Sequence, residues 1–244
     1  MTVHHGLRAA AGNTTAAASL VTSGLELHLD AADTNSYSGS GTTWADLSGN
    51  GYDFSLSSSS QFNTDSNGYK NMNTGGSSGD IKRIVNGNLT NIPNSNQRTA
   101  IIFAQPQNVS TWRTIFKAAG SSYLAIARTG SGEIGIYHFG TGTGFYGSGG
   151  YISDPPNYLT KYNAYVFKWD ANNSPYFSFQ YNNDTTVNTI TNSNVSYALG
   201  FAHIGGIGLA IPLGRIAVVL SYNRHLSQTE IDQNYDFYKA RFGI

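Results

Sequence analysis

The sequence predicts an all-β domain, an antiparallel sandwich or barrel completed by one short C-terminal helix. Three observations carry that prediction. Short runs of alternating apolar residues recur from Thr99 onward. The gaps between them are rich in Gly, Asn and Ser, the residues of tight turns. One segment, after Ser227, has helical spacing and a complete start signal. A chain of 244 residues is long enough for one large β domain whose core needs no covalent staples.

Taken in order, residues 1–23 are rich in Ala, Thr and Gly and hold no sustained period of 2 or 3.6. They read as an arm, residues 24–244 as the domain. Such arms fray unless something covers them, so this one is expected to lie against a partner or along its own sandwich. Leu25, Leu27 and Leu29 alternate with Glu26, His28 and Asp30, the pattern of a half-buried strand with a polar outer row. A turn-rich stretch follows to residue 98. Its Asn-Gly pairs at 50–51, 67–68 and 86–87 can each supply positive φ. Strands are then expected at 99–104, 112–118, 122–128, 132–139, 163–170, 176–182, 185–190, 197–204 and 213–222. Alternation is clearest in Ile134/Ile136, in Phe177/Phe179/Tyr181 and in Ile216/Val218/Leu220/Tyr222. The helix is expected over 228–240. Ser227 and Glu230 form a capping box, and Leu226 and Ile231 stand at the staple positions. Ile231, Tyr235 and Tyr238 make one apolar stripe, and Gly243 lies just past the end.

Composition excludes several functions. Charged residues are 11%, below the ~25% of ordinary domains, and 14 basic residues balance 14 acidic ones. No basic run exceeds Lys82-Arg83, so a nucleic-acid partner is not expected. No apolar run approaches the ~18 residues of a membrane span. The N-terminus has no compact apolar segment, so a cleaved secretion signal is not expected. There are no cysteines for disulfides or thiolate metal sites. A neutral surface gives little repulsion between copies, which favours a homo-oligomer.

Catalytic motifs are likewise missing: no His-Glu-x-x-His, no Gly-x-Ser-x-Gly and no Walker loop. The Gly-rich stretch 141–150 lacks the lysine of a phosphate loop and reads as a hairpin or surface loop. His4 and His5 are adjacent in the arm and point apart, so a metal there is not expected.

Two longer motifs add a resemblance. Residues 25–54, LELHLDAADTNSYSGSGTTWADLSGNGYDF, resemble the opening of laminin-G-like domains of the concanavalin A-like lectin/glucanase superfamily. Residues 204–243 resemble their close, with a Gly-Gly pair, a Gly-x-Ile strand and YNRHLSQTEIDQNY. Between them, residues 161–184 are similar to the family's hairpin, with Asn182-Asn183 where an Asn-Gly turn often stands. The resemblance covers about residues 24–243. It implies a jelly roll of two curved antiparallel sheets, of the kind found in phage and large-virus structural proteins. The residues have local readings too. Asp30 can accept turn N–H groups, Trp44 can fill the sandwich edge with its indole N–H bonded nearby, and Asp46 and Ser48 can cap the turn through Gly49-Asn50-Gly51.

From this resemblance follow the functional expectations. The chain is expected to be a non-enzymatic virion structural protein, a capsid decoration or a head or tail appendage. A free carbohydrate-binding lectin module and, last, a polysaccharide hydrolase are the alternatives. Residues Val3, His4, His5, Leu7, Arg8, Leu20 and Val21 are the candidate arm contacts to a capsid or other virion protein. Location would be the virion, or otherwise soluble and extracellular. Cell-surface glycans are a candidate ligand, with Phe145, Tyr146 and Tyr151 as stacking platforms. No cofactor is expected beyond calcium, which such relatives often hold; Asp30, Asp33 and Asp46 are its candidate ligands, with Asp170 and Asp184 as others. Hydrolysis would need two carboxylates ~5–5.5 Å apart. The three glutamates do not supply them: Glu230 serves the cap, Glu26 stands in the polar row, and Glu133 is followed on its face by Gly135 and Tyr137.

Overall fold

A computed structural model describes residues 18–74, 81–106, 113–119, 124–128, 132–138, 151–153, 155–191, 199–204, 211–212 and 214–244. Over these residues the chain forms two large, mostly antiparallel sheets and the helix Gln228–Phe242. The middle of the first sheet is Gln97–Pro106, paired with Asn163–Asp170 on one side and Gly214–Tyr222 on the other. Phe177–Tyr181 and Asn188–Ile190 extend it past Asn163–Asp170. On the far side of Gly214–Tyr222, Leu25–Asp30 pairs with its second half and Lys70–Asn73 with its beginning. The second sheet is ordered Tyr151–Ile152, Ile134–His138, Leu124–Arg128, Arg113–Ala119, Leu199–Ile204, Ile81–Lys82, Phe54–Ser55 and Thr43–Trp44. One parallel contact, Arg113 with Ile211, interrupts the antiparallel rule.

Three layers result, because the helix lies on the outer face of the first sheet. Gln97–Pro106 shows the consequence. Ala100, Ile102 and Ala104 belong to the core between the sheets, while Ile101 and Phe103 belong to a second core beneath the helix. A strand covered on both faces needs no polar alternation. The helix itself starts and ends as its sequence dictates. Ser227 accepts the Glu230 N–H while the Glu230 side chain accepts from Ser227 N, and Gly243 closes the end at φ 63°. Tyr238 and Phe242 meet Phe103 at ring separations of 5.0 and 5.6 Å, and Phe242 stacks on Tyr162 at 5.0 Å.

Strand expectations from residue 99 onward hold to within a few residues at each end. Two departures have one physical cause, a bulge. In Gly214–Tyr222 the register slips at Ala217, so Ile216 faces the inter-sheet core whereas Val218, Leu220 and Tyr222 face the helix. The expected single face of four residues is thereby split. A second slip between Leu25 and Leu27 moves Leu25 to the helix side and leaves Leu27 and Leu29 between the sheets. The turn-rich stretch before residue 98 also holds short strands with no sequence signal of their own. There Asn86 and Gly87, at φ 51° and 79°, make the two-residue turn joining Ile84–Val85 to Asn88–Leu89.

Candidate functional site

The polar row of the first strand does not face solvent as expected; the helix covers part of it. His28 shares a 2.8 Å hydrogen bond between Nε2 and the Tyr238 hydroxyl. Burial holds this imidazole below its usual pKa, against the pull of Asp30 and Asp46. Asp30 receives both terminal nitrogens of Arg241, at 2.7 and 2.8 Å, and accepts the Ala32 N–H at 2.8 Å. Glu26 leaves the row at the bulge and pairs with Arg98, whose side chain is fully buried. Arg98 also donates to Ser221 Oγ at 2.9 Å and to the Pro93 carbonyl at 2.7 Å. For both partners desolvation is the largest influence: it pushes the Glu26 carboxyl up and the Arg98 guanidinium down.

The carboxylates expected as calcium ligands are engaged by protein groups. Asp46 accepts the His28 and Ser48 N–H groups on Oδ1, and the Tyr52 N–H and Ser48 hydroxyl on Oδ2. Asp33 accepts the backbone and side-chain nitrogens of Asn35. With Asp30 held by Arg241, the three carboxylates serve as turn and helix anchors. Among the described residues no three His, Cys, Asp or Glu side chains gather to hold a metal ion. Asp46 and Ser48 organise the turn as the sequence implied. Trp44 is fully buried, but its indole N–H has no partner among the described residues, contrary to expectation.

Phe145 and Tyr146 lie outside the described residues, as do Val3, His4, His5, Leu7 and Arg8. Tyr151 is a half-buried residue of the short strand Tyr151–Ile152, not part of an exposed loop. Val21 is a correction to the arm: it is buried under the helix. Its N–H donates to Asn234 Oδ1 at 3.0 Å and its carbonyl accepts from the Tyr222 hydroxyl at 2.9 Å. Leu20 packs against the same cluster. These two side chains therefore pack on their own domain, under the helix.

A cleft of about 380 Å³ opens on the helix side of the first sheet, past the helix N-terminus. Its floor is a cross-strand row, Lys168, Ser178 and Thr189, on three adjacent strands in direct register. The row continues to Thr99, whose hydroxyl is used up by the Arg224 carbonyl and the Leu226 N–H. One wall is the loop after Asp170, with Asn173, Ser174 and Pro175; His225 and Val187 complete the rim. Asp170 shapes that loop. Its oxygens accept the N–H groups of Asn172 and Asn173 and the side-chain amides of Asn173 and Gln97. Burial opposes its ionisation, but these bonds prevail and hold the carboxyl below the usual range. His225 Nε2 is bonded to the Trp169 carbonyl at 2.7 Å. The Lys168 ammonium makes one hydrogen bond among the described residues, 3.5 Å to the Leu226 carbonyl, and burial lowers its pKa. The Ser178 and Thr189 hydroxyls have no hydrogen-bond partner among the described residues. The sequence contained one clue to this site: Lys168 is the lone charge inside the apolar run NAYVFKW.

No protein-family model matches the chain, and no curated protein matches it. Solved structures do match. Trypanosoma rangeli sialidase aligns with a TM-score of 0.58 at 13% identity, over 89% of this chain and 33% of that one. The same enzyme as a covalent intermediate with 2,3-difluorosialic acid gives 0.58 at 14%, over 87% and 33%. The ligand-binding domain of botulinum neurotoxin serotype D, in complex with N-acetylneuraminic acid, gives 0.56 at 14%, over 88% and 51%. The chain thus spans about a third of the sialidase and about half of the neurotoxin chain. At these identities the likeness is one of fold, and it agrees with the sandwich expected from the sequence: this chain is an all-β jelly roll of two antiparallel sheets with one C-terminal helix.

Proposed function

We propose that this chain is a non-catalytic carbohydrate-binding module, displayed on the outside of a virion as a capsid decoration or tail appendage. The observation that carries the binding reading is the fold shared with a domain seen holding N-acetylneuraminic acid, together with a polar cleft whose floor hydroxyls have no partner. Absence of catalysis is supported by the disposition of carboxylates. Glu26 is paired with Arg98, Glu230 is held in the helix cap by Arg224, and Asp170 is the single carboxylate of the cleft. A two-carboxylate glycosidase needs a second one close by. The virion setting rests on the resemblance of residues 25–54 and 204–243 to viral laminin-G-like domains. The arm would be its anchor through residues 1–17, since Leu20 and Val21 serve their own domain. Screening the full chain on a glycan array, with a parallel assay for released sugar, tests the reading. Retention of a defined glycan set without sugar release is expected. Silence across the array, or turnover, would overturn it.

A further inference from the structure

We propose that the Lys168–Ser178–Thr189 cleft seats a glycan unit that bears a carboxylate, with the anionic group on the Lys168 ammonium. This rests on the carbohydrate-binding reading and adds to it a site and a ligand class. The argument starts from an imbalance. Lys168 is half-buried, no carboxylate lies within ion-pair distance of it among the described residues, and its one acceptor is a carbonyl 3.5 Å away. An ammonium partly withdrawn from water and left without a counter-charge is an unfavourable arrangement that an anion relieves. Asp170, two residues along the same strand, cannot serve, because both its oxygens already accept amide hydrogens.

What surrounds the cation selects a sugar over a simple anion. Ser178 and Thr189 sit on successive strands, about 4.8 Å apart in the pairing direction, so one sugar ring can reach both hydroxyls. On the rim, Pro175 and Val187 supply apolar surface for the C–H face of a ring, and Val187 is 38% exposed. A volume of about 380 Å³ falls at the lower end of small-ligand pockets and suits one or two sugar units. One row farther in, neither polar atom of the buried Gln180 amide has a hydrogen-bond partner among the described residues.

The test is calorimetric titration of the full chain with sialyllactose and, separately, with lactose, which lacks the acidic unit. Saturable binding of sialyllactose is expected, with lactose at least tenfold weaker. Lys168→Gln should lose at least tenfold in affinity, and Lys168→Arg, which keeps the charge, should retain most of it. Because Lys168 is half-buried, Thr189→Trp provides a second variant: the position is exposed, and the indole would fill the cleft and abolish binding without touching the core. Equal affinity for lactose, or unchanged affinity in Lys168→Gln and Thr189→Trp, would overturn the proposal. A chain that retains other glycans on the array but neither of these ligands would overturn it too, while leaving the broader reading intact. Retention of no glycan would defeat both.

Discussion

Arg98 shows how a single charged side chain is kept inside this sandwich. It is fully buried, and Glu26, Ser221 and Pro93 between them engage both of its terminal nitrogens. Its guanidinium also lies over the Trp169 ring at 5.4 Å. Desolvation outweighs mutual attraction for both members of the pair, so the pair acts as a constraint more than as a source of stability. Removing one member leaves the other uncompensated. Glu26→Ala should therefore cost about 3–5 kcal/mol, and Glu26→Leu combined with Arg98→Met should cost clearly less than the two single changes added together. Urea unfolding of the wild type, Glu26→Ala, Glu26→Leu, Arg98→Met and the double variant checks this, and strict additivity in the Leu/Met set would contradict it. None of this was legible beforehand: Arg98 and Glu26 are 72 positions apart, and the bulge that turns Glu26 toward Arg98 has no signature in the residues around it.

At the scale of elements, the helix was the most readable part of the chain. Its cap, staple and stripe are local, and all three are found as expected. The cap also predicts a response to acid. Glu230 is held near a pKa of about 2, below its ordinary 4.5, first by Arg224 and then by the Ser227 N–H. A lowered folded-state value means that the stabilisation is complete above about pH 4.5 and is lost as the pH falls toward about 2. Glu230→Gln should flatten that limb of the stability curve in chemical unfolding measured across the range; an unchanged limb would contradict the assignment. The faces of strands were legible where no bulge interrupts the ladder. Ile134/Ile136 and Phe177/Phe179/Tyr181 each keep one face, because neither strand contains a bulge. Ile216/Val218 failed because Ala217 adds one residue to the ladder, and period-2 reading cannot see an extra residue. The short strands before residue 98 failed for another reason. Pairs such as Thr43–Trp44 with Phe54–Ser55 are fixed by their neighbours, not by their own sequence.

For the molecule as a whole, the three-layer order explains both where the polar residues went and where the cleft lies. The segment Leu226–Phe242 covers the first sheet; the cluster beneath it is apolar, and His28, Asp30 and Thr99 bond to the covering segment itself. Where the helix ends its coverage, the same sheet face changes to Lys168, Ser178 and Thr189. As candidate platforms, Phe145, Tyr146 and Tyr151 rest on aromaticity beside a Gly-rich stretch. Among the described residues the cleft lining holds no Phe, Tyr or Trp, and its floor comes from three strands that only pairing brings together, so no linear spacing could reveal it. The central claim, a non-catalytic jelly roll that holds a glycan at this cleft, is tested most directly by adding sialyllactose to the isotope-labelled chain and following its backbone amide resonances. Shifts centred on Lys168, Ser178, Thr189 and His225, with the ligand intact at the end of the titration, are predicted. Shifts centred on another face, no shifts at millimolar ligand, or the appearance of free sialic acid would contradict the account.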